Sequence, residues 1–224
     1  MPDSSVEAAR YALLRRLAPA IRHRVVGRLH PIGLIAEALE WQAQEKTPTL
    51  ETIRDSLSKI NDLARAAMLS FTSQITWLAR ENGATAALGE AIDDCLALLH
   101  TDFELRGFSI ENEVRVPDVL ISLNAVRNVL SAALIAATDS APGPARLSLT
   151  ADRENNLILL SIRMSPAQEV ETISSGVPYR RLSWEDVQAL ADADSVRLSR
   201  RSESVEMRFA IEHKGLADPV AASH

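Results

Sequence analysis

From Val6 to about Gln44 the apolar positions recur in steps of three and four: Leu14, Ala18, Ile21, Val25, Leu29, Ile32, Ala36 and Leu39. At about 100° per residue they fall within roughly 80° of one another, which predicts one long helix with a narrow apolar stripe. Pro19 and Pro31 lie inside it, and each removes a helical hydrogen bond and favours a bend. Lys46-Thr47-Pro48-Thr49 reads as a turn, with Thr49 placed to cap a second helix. That helix runs to about Arg80, with Leu50, Ile53, Leu57, Ile60, Ala64, Met68, Phe71, Ile75 and Leu78 on one face. Two long helices joined by so short a connection form an antiparallel hairpin. Its apolar faces are wider than one hairpin can cover, so pairing with a second copy into a dimeric four-helix bundle is expected. Trp41 and Trp77 are expected to meet across the hairpin.

Glu81-Asn82-Gly83 breaks this pattern and the periodicity changes after it. A helix is predicted from about Ala87 to Leu105, a strand over 108–116, and an apolar helix from Pro117-Asp118 through Ala137. Strands follow at 145–151 and 157–164, then a loop with Pro166, Gly176 and Pro178. A short helix from Ser183 to about Ala193 precedes final strands at 196–200 and 205–211. Ser183 and Asp186 have the spacing of a capping box, with Trp184 packing at the helix start. This order of elements predicts an α+β sandwich, with helices on one face of a mostly antiparallel sheet. The tail 215–224 reads as frayed.

Composition removes several classes of function. The chain has 224 residues, enough for one large or two small domains, and 46% are hydrophobic against 24% charged. A net charge of −6 disfavours a general nucleic-acid binder, because phosphate backbones demand clustered cations. The single cysteine, Cys95, lies in the apolar run 92–99 and reads as a buried, inert thiol. No apolar run is long enough to span a membrane and the N-terminus lacks a signal-peptide pattern, so a cytoplasmic chain is expected.

The chemistry-bearing residues cluster at Arg22: the segment RHRVVGRLHPIGLI holds His23, Gly27, His30 and Pro31. His23 lies about 170° from the centre of the apolar stripe and therefore faces outward. His30, nearly two turns on, shares that face, with Gly27 between them. An outward imidazole is either a solvated surface group or a nucleophile that a partner can approach in line, and a neutral ring nitrogen suits the second role.

This segment, set in a helical hairpin followed by an α+β half, resembles the variant histidine box of the bacterial sensor histidine kinases. In that box a His follows an Arg, with a Gly four residues later and a Pro eight later. The resemblance implies residues 1–83 as a dimerisation and histidine-phosphotransfer-like hairpin, and 84–214 as a relative of the ATP-binding domain. It implies His23 as phosphoryl acceptor, His30 as the alternative, and Arg22, Arg24, Gly27 and Arg28 as the face that meets a response-regulator receiver domain. The family places an acid directly after the acceptor to assist transfer from ATP; Arg24 stands there instead. An arginine can still hold phosphoryl oxygens during exchange with a receiver.

The second half departs further. The family's nucleotide pocket needs an Asn on the helix matching 125–139 to hold Mg²⁺, and the chain offers Ser131, Ala132, Ile135 and Ala136 around that place, with Asn124 and Asn128 one to two turns early. Alkyl side chains have no lone pair for a metal. The pocket also needs an Asp followed by glycines at the end of the strand 157–164, where Met164 and Pro166 stand, and a Gly-rich lid between Ser165 and Leu182, where only Gly176 occurs. The expectation is a degenerate ATPase-like domain that holds neither cofactor nor metal. Two readings follow: a histidine phosphotransferase that relays without ATP, or a pseudokinase scaffold that regulates a receiver or kinase by binding it. A basic stretch at Arg180, Arg181, Arg197, Arg200 and Arg201 is either a patch for an acidic partner or a solvated face.

Overall fold

The structure, a computed structural model, describes residues 4–45, 47–78, 83–117, 119–167, 180–201 and 204–212. The first two elements are the long helices α1 (Ser4–Glu45) and α2 (Leu50–Leu78), as the periodicity predicts. Pro19 and Pro31 are both carried inside α1. Thr49 caps α2: its hydroxyl accepts from the Thr52 amide at 3.1 Å and its carbonyl from the Ile53 amide at 3.1 Å.

The chain divides into two compact units, 17–80 and 1–16 with 81–224. The first turns of α1 are thus grouped with the α/β unit, whereas composition alone suggested one boundary near residue 83. Within 17–80, Leu34, Ile35, Ala38, Leu39 and Gln42 line one cleft together with Thr52, Asp55, Ser56 and Lys59, which fixes α1 and α2 as antiparallel. This register overturns the expected Trp41–Trp77 contact. Trp41 lies at the end where α2 begins, and Trp77 is 25 residues beyond Thr52, about 37 Å along the helix at 1.5 Å per residue. The predicted apolar face of α2 also splits. Ile53, Ile60, Ala64 and Phe71 are half-buried, but Leu50, Leu57 and Met68 remain 86%, 55% and 68% exposed.

The second unit carries a seven-stranded sheet of order β1-β3-β7-β5-β4-β2, with β6 also on β7. The strands are β1 (Thr85–Ala87), β2 (Ser109–Asn112), β3 (Leu120–Ser122), β4 (Ala145–Glu154), β5 (Leu157–Pro166), β6 (Arg197–Arg200) and β7 (Ser204–Glu212). Every pairing is antiparallel except β2 with β4. Ala145, Leu147 and Leu149 of β4, Ile158, Leu160 and Ile162 of β5, and Val205, Met207 and Phe209 of β7 are buried at alternate positions. One sheet face therefore carries the helices. These are α3 (Leu88–Leu105), α4 (Leu123–Ala125) running through a π-helical turn at Val126–Leu130 into α5 (Ser131–Ser140), and α6 (Trp184–Ala193). α5 is buried from Ser131 through Asp139, and its alkyl run 132–137 is the part that is apolar all round.

The α+β architecture is the expected one; two local expectations are corrected. The strand predicted over 108–116 pairs only at Ser109–Asn112, and the helix predicted from Pro117 begins at Leu123 after the short strand β3. β3 exists because β1 and β7 flank it, a tertiary cause that local propensity does not carry.

The helix ends use local chemistry. Gly107 (φ 78°) closes α3: its amide bonds to the Glu104 carbonyl, and the Phe108 amide to Phe103 at 2.8 Å. α6 ends in the same motif, but with Ser195 at φ 57° where glycine is preferred. Its start is the predicted capping box of Ser183 and Asp186. Ser195→Gly is expected to stabilise the fold by about 1 kcal/mol, the left-handed penalty of a side chain, read as a raised urea midpoint at unchanged m-value.

Candidate functional site

The histidine segment lies within the 17–80 unit, on the helical run between Pro19 and Pro31. His23 and His30 are exposed, as are Arg22, Gly27 and Arg28; Arg24 is half-buried. A Cβ added at Gly27 would meet nothing within 4 Å, so the surface one turn after His23 is open. Among the described residues no ion pair engages Arg22, Arg24 or Arg28, and their charge is available to an acidic surface. The positions one turn either side of His23 on its own helix are Pro19, Ala20, Val26 and Gly27, none of them acidic. The arrangement supplies a nucleophile, room around it and cations beside it. It supplies no carboxylate on α1 to take a proton from the imidazole.

The α/β unit is the second place where chemistry was sought. Ala132, Ile135 and Ala136 are wholly buried in apolar packing, and no cluster of three metal-ligating side chains occurs among the described residues. Asn128 is committed elsewhere, donating to Asp194 Oδ2 at 2.7 Å. Met164 and Pro166 belong to β5, paired with Leu147 and Ala145, so the strand continues through the positions where an Asp-Gly turn was sought. The lid positions around Gly176 and Pro178 lie outside the described residues. The start of α6 already holds its own anion. Burial alone would raise the Asp186 carboxyl, but hydrogen bonds from Arg180, at 2.8 and 2.9 Å, and from the Ser183 amide and hydroxyl outweigh it and hold the group below its usual range. A phosphate at this helix start would meet a carboxylate where it needs free N–H groups.

The arginines of the basic stretch are largely spoken for. Arg180 pairs with Asp186, Arg201 with Glu206, and Arg200 lies over the Trp184 ring at 4.9 Å. Arg181 donates to the Asp139 carbonyl. This favours a self-paired face over an acidic-partner patch.

A cluster that sequence reasoning missed lies at Asp139. Its carboxylate accepts from both terminal nitrogens of Arg16, from Arg106 Nη2 at 2.9 Å and from the Leu182 amide at 3.1 Å. The Arg16 and Asp139 side chains are almost fully buried. Arg16 and Asp139 are 123 residues apart, and no local pattern links them.

No family profile and no curated protein matches the sequence. Solved structures do. The Acinetobacter baumannii histidine kinase AdeS is similar at 14% identity and a TM-score of 0.43, over 83% of this chain and 96% of that one. The histidine kinase ThkA, in complex with the response regulator protein TrrA, is similar at 16% identity and a TM-score of 0.40, over 93% of this chain and 67% of that one. A bacterial phosphotransferase is similar at 18% identity and a TM-score of 0.36, over 88% and 95%. No helix among the described residues is long and apolar enough to cross a membrane.

Cys95 is fully buried, and burial pushes its thiol up to about 12. Only the thiolate reacts, so Cys95 is expected to resist a thiol reagent in the native protein at pH 8 and to label at once in denaturant, counted by absorbance or intact mass.

Proposed function

We propose that this chain is a cytoplasmic histidine phosphotransferase-like protein of two-component signalling, which exchanges a phosphoryl group between His23 and the aspartate of a response-regulator receiver domain. The observation that carries this reading is His23 itself: exposed on α1, with open space at Gly27 and the exposed cations Arg22 and Arg28 beside it. The receiver's aspartyl phosphate would be attacked by the lone pair of an imidazole nitrogen. The N–P bond forms as the P–O bond to the aspartate breaks, the freed carboxylate stays on the receiver, and the ring proton stays on the other nitrogen. Arg22, Arg24 and Arg28 would draw the acidic receiver and screen the phosphoryl charge. His30 has the same exposure but directly precedes Pro31, which makes it the alternate acceptor.

Two further elements complete the reading. The chain acts as a homodimer, because Leu29, Leu34, Leu57, Met68 and Leu69 of the hairpin are exposed and a second hairpin in a four-helix bundle would cover such residues. It uses no ATP, because the helix that would carry the metal-holding asparagine presents buried alkyl groups. A second reading, a non-catalytic scaffold that regulates a receiver by occupancy, is favoured by Arg24 following His23, where the acid that assists transfer from ATP stands in the box it resembles.

His23→Ala is expected to abolish phosphoryl exchange with a purified phosphorylated receiver while leaving receiver binding within about twofold. Exchange that survives in His23→Ala and vanishes in His30→Ala would move the acceptor. Binding without exchange in the unsubstituted protein would select the scaffold. Millimolar ATP with Mg²⁺ is expected to leave the melting temperature unchanged, since a ligand held by the native state alone must raise it.

A further inference from the structure

The polar links made by residues 4–16 are unusual for the start of a surface helix. Arg10 pairs with Asp194 at 3.8 Å, and Asp194 accepts from Asn128 at 2.7 Å, near the beginning of the helical run 123–140. Arg16 pairs with Asp139 at the other end of that run. Beside and between the two arginines, Ala9, Ala12 and Leu13 are buried, a face spaced in steps of three and one that alternates with exposed Tyr11 and Arg15. The small side chains at 9 and 12 permit close approach of the helix axis to the buried layer. The same carboxylate that holds Arg16 also holds the Leu182 amide, so the anchor joins the end of α5 to the residues that lead into α6. A cleft of about 670 Å³ remains alongside, bounded by Ser5, Ala8 and Arg15 on α1 and by Arg180, Glu185 and Ala189 on the other side.

We infer that residues 4–16 form a strap: a separable helical segment docked on the α5–α6 layer, anchored by Arg16 on the buried Asp139, and able to open while the rest of the α/β unit stays folded. The strap covers the layer with the chain's own first turns. Two features make it separable. Two of its three buried apolar side chains, Ala9 and Ala12, are single methyl groups, and Asp139 keeps Arg106 and the Leu182 amide when Arg16 leaves. Departure of the strap therefore does not orphan the carboxylate, which is the condition for local rather than global opening. Next to the anchor, Pro19 offers no N–H to the Arg15 carbonyl, so the helix lacks one bond just past the strap's end.

The test is amide hydrogen exchange, followed by mass spectrometry on the full chain, of the unsubstituted protein, Arg16→Ala and Arg106→Ala. Arg16→Ala is expected to speed exchange of amides in 8–16 by about tenfold or more, the effect of losing a buried charge pair, with α5 and β4–β5 protected as before. Arg106→Ala removes a partner of the same carboxylate without touching the strap, and should leave 8–16 unchanged. Equal exchange at 8–16 in the unsubstituted protein and Arg16→Ala would overturn the anchor. Should Arg16→Ala lose protection in 8–16, α5 and β5 together, Arg10→Ala, which touches only the outer pair, decides: faster exchange in 8–16 alone supports the strap, and global loss there too overturns separability.

Discussion

The α/β unit depends on one buried carboxylate. Asp139 ends the buried stretch of α5 and gathers Arg16 from α1, Arg106 from the end of α3 and the backbone amide of Leu182. Moving one carboxylate and two guanidiniums out of water is costly, and two cations on one anion would leave an excess of charge. Asp102, which pairs with Arg106 at 3.3 Å, restores the balance. Arg106 also lies over the Phe108 ring at 5.2 Å and donates to Thr138. Such a cluster contributes little net stability compared with an apolar core. Its value is direction: hydrogen bonds have geometry, and these fix where three distant segments meet the end of one helix.

What the sequence showed follows from the range of the interaction that made it. The hairpin, the Thr49 and Ser183 caps, β4, β5, β7 and the outward face of His23 are products of periodicity or of contacts within four residues, and all were legible. β1 and β3 are three residues each and owe their existence to neighbours far along the chain. A single apolar stripe was read along α1 from Leu14 onward. The residues actually buried in its first turns are Ala9, Ala12 and Leu13, with Arg16, a face rotated about 100° by the shift of one residue. A 42-residue helix need not present one face to one neighbour throughout, and the pattern of its later turns hid the change. Arg16 carries no local signal of its role because its partner is 123 residues away. The tryptophan pairing failed for a simpler reason: in an antiparallel hairpin the end of the first helix meets the start of the second.

The same logic joins two facts about the α/β half that first look separate, the alkyl side chains at 132–137 of α5 and their burial. A helix packed all round over those positions has no face left there for a ligand, and a polar side chain among them would need a partner that alkyl neighbours do not offer. Replacing Ala132 by asparagine would bury an amide among alkyl groups before any metal arrived. Asn128, which does retain an amide, spends it on Asp194, and Asp194 in turn meets Arg10 of α1. Asp186 caps α6 with a carboxylate where a phosphate would otherwise find free amides. Each of these choices raises packing or pairing within the unit and each removes one requirement of a nucleotide pocket. The alkyl side chains along 132–137 are thus not independent of one another. They follow from a helix layer that closes on itself.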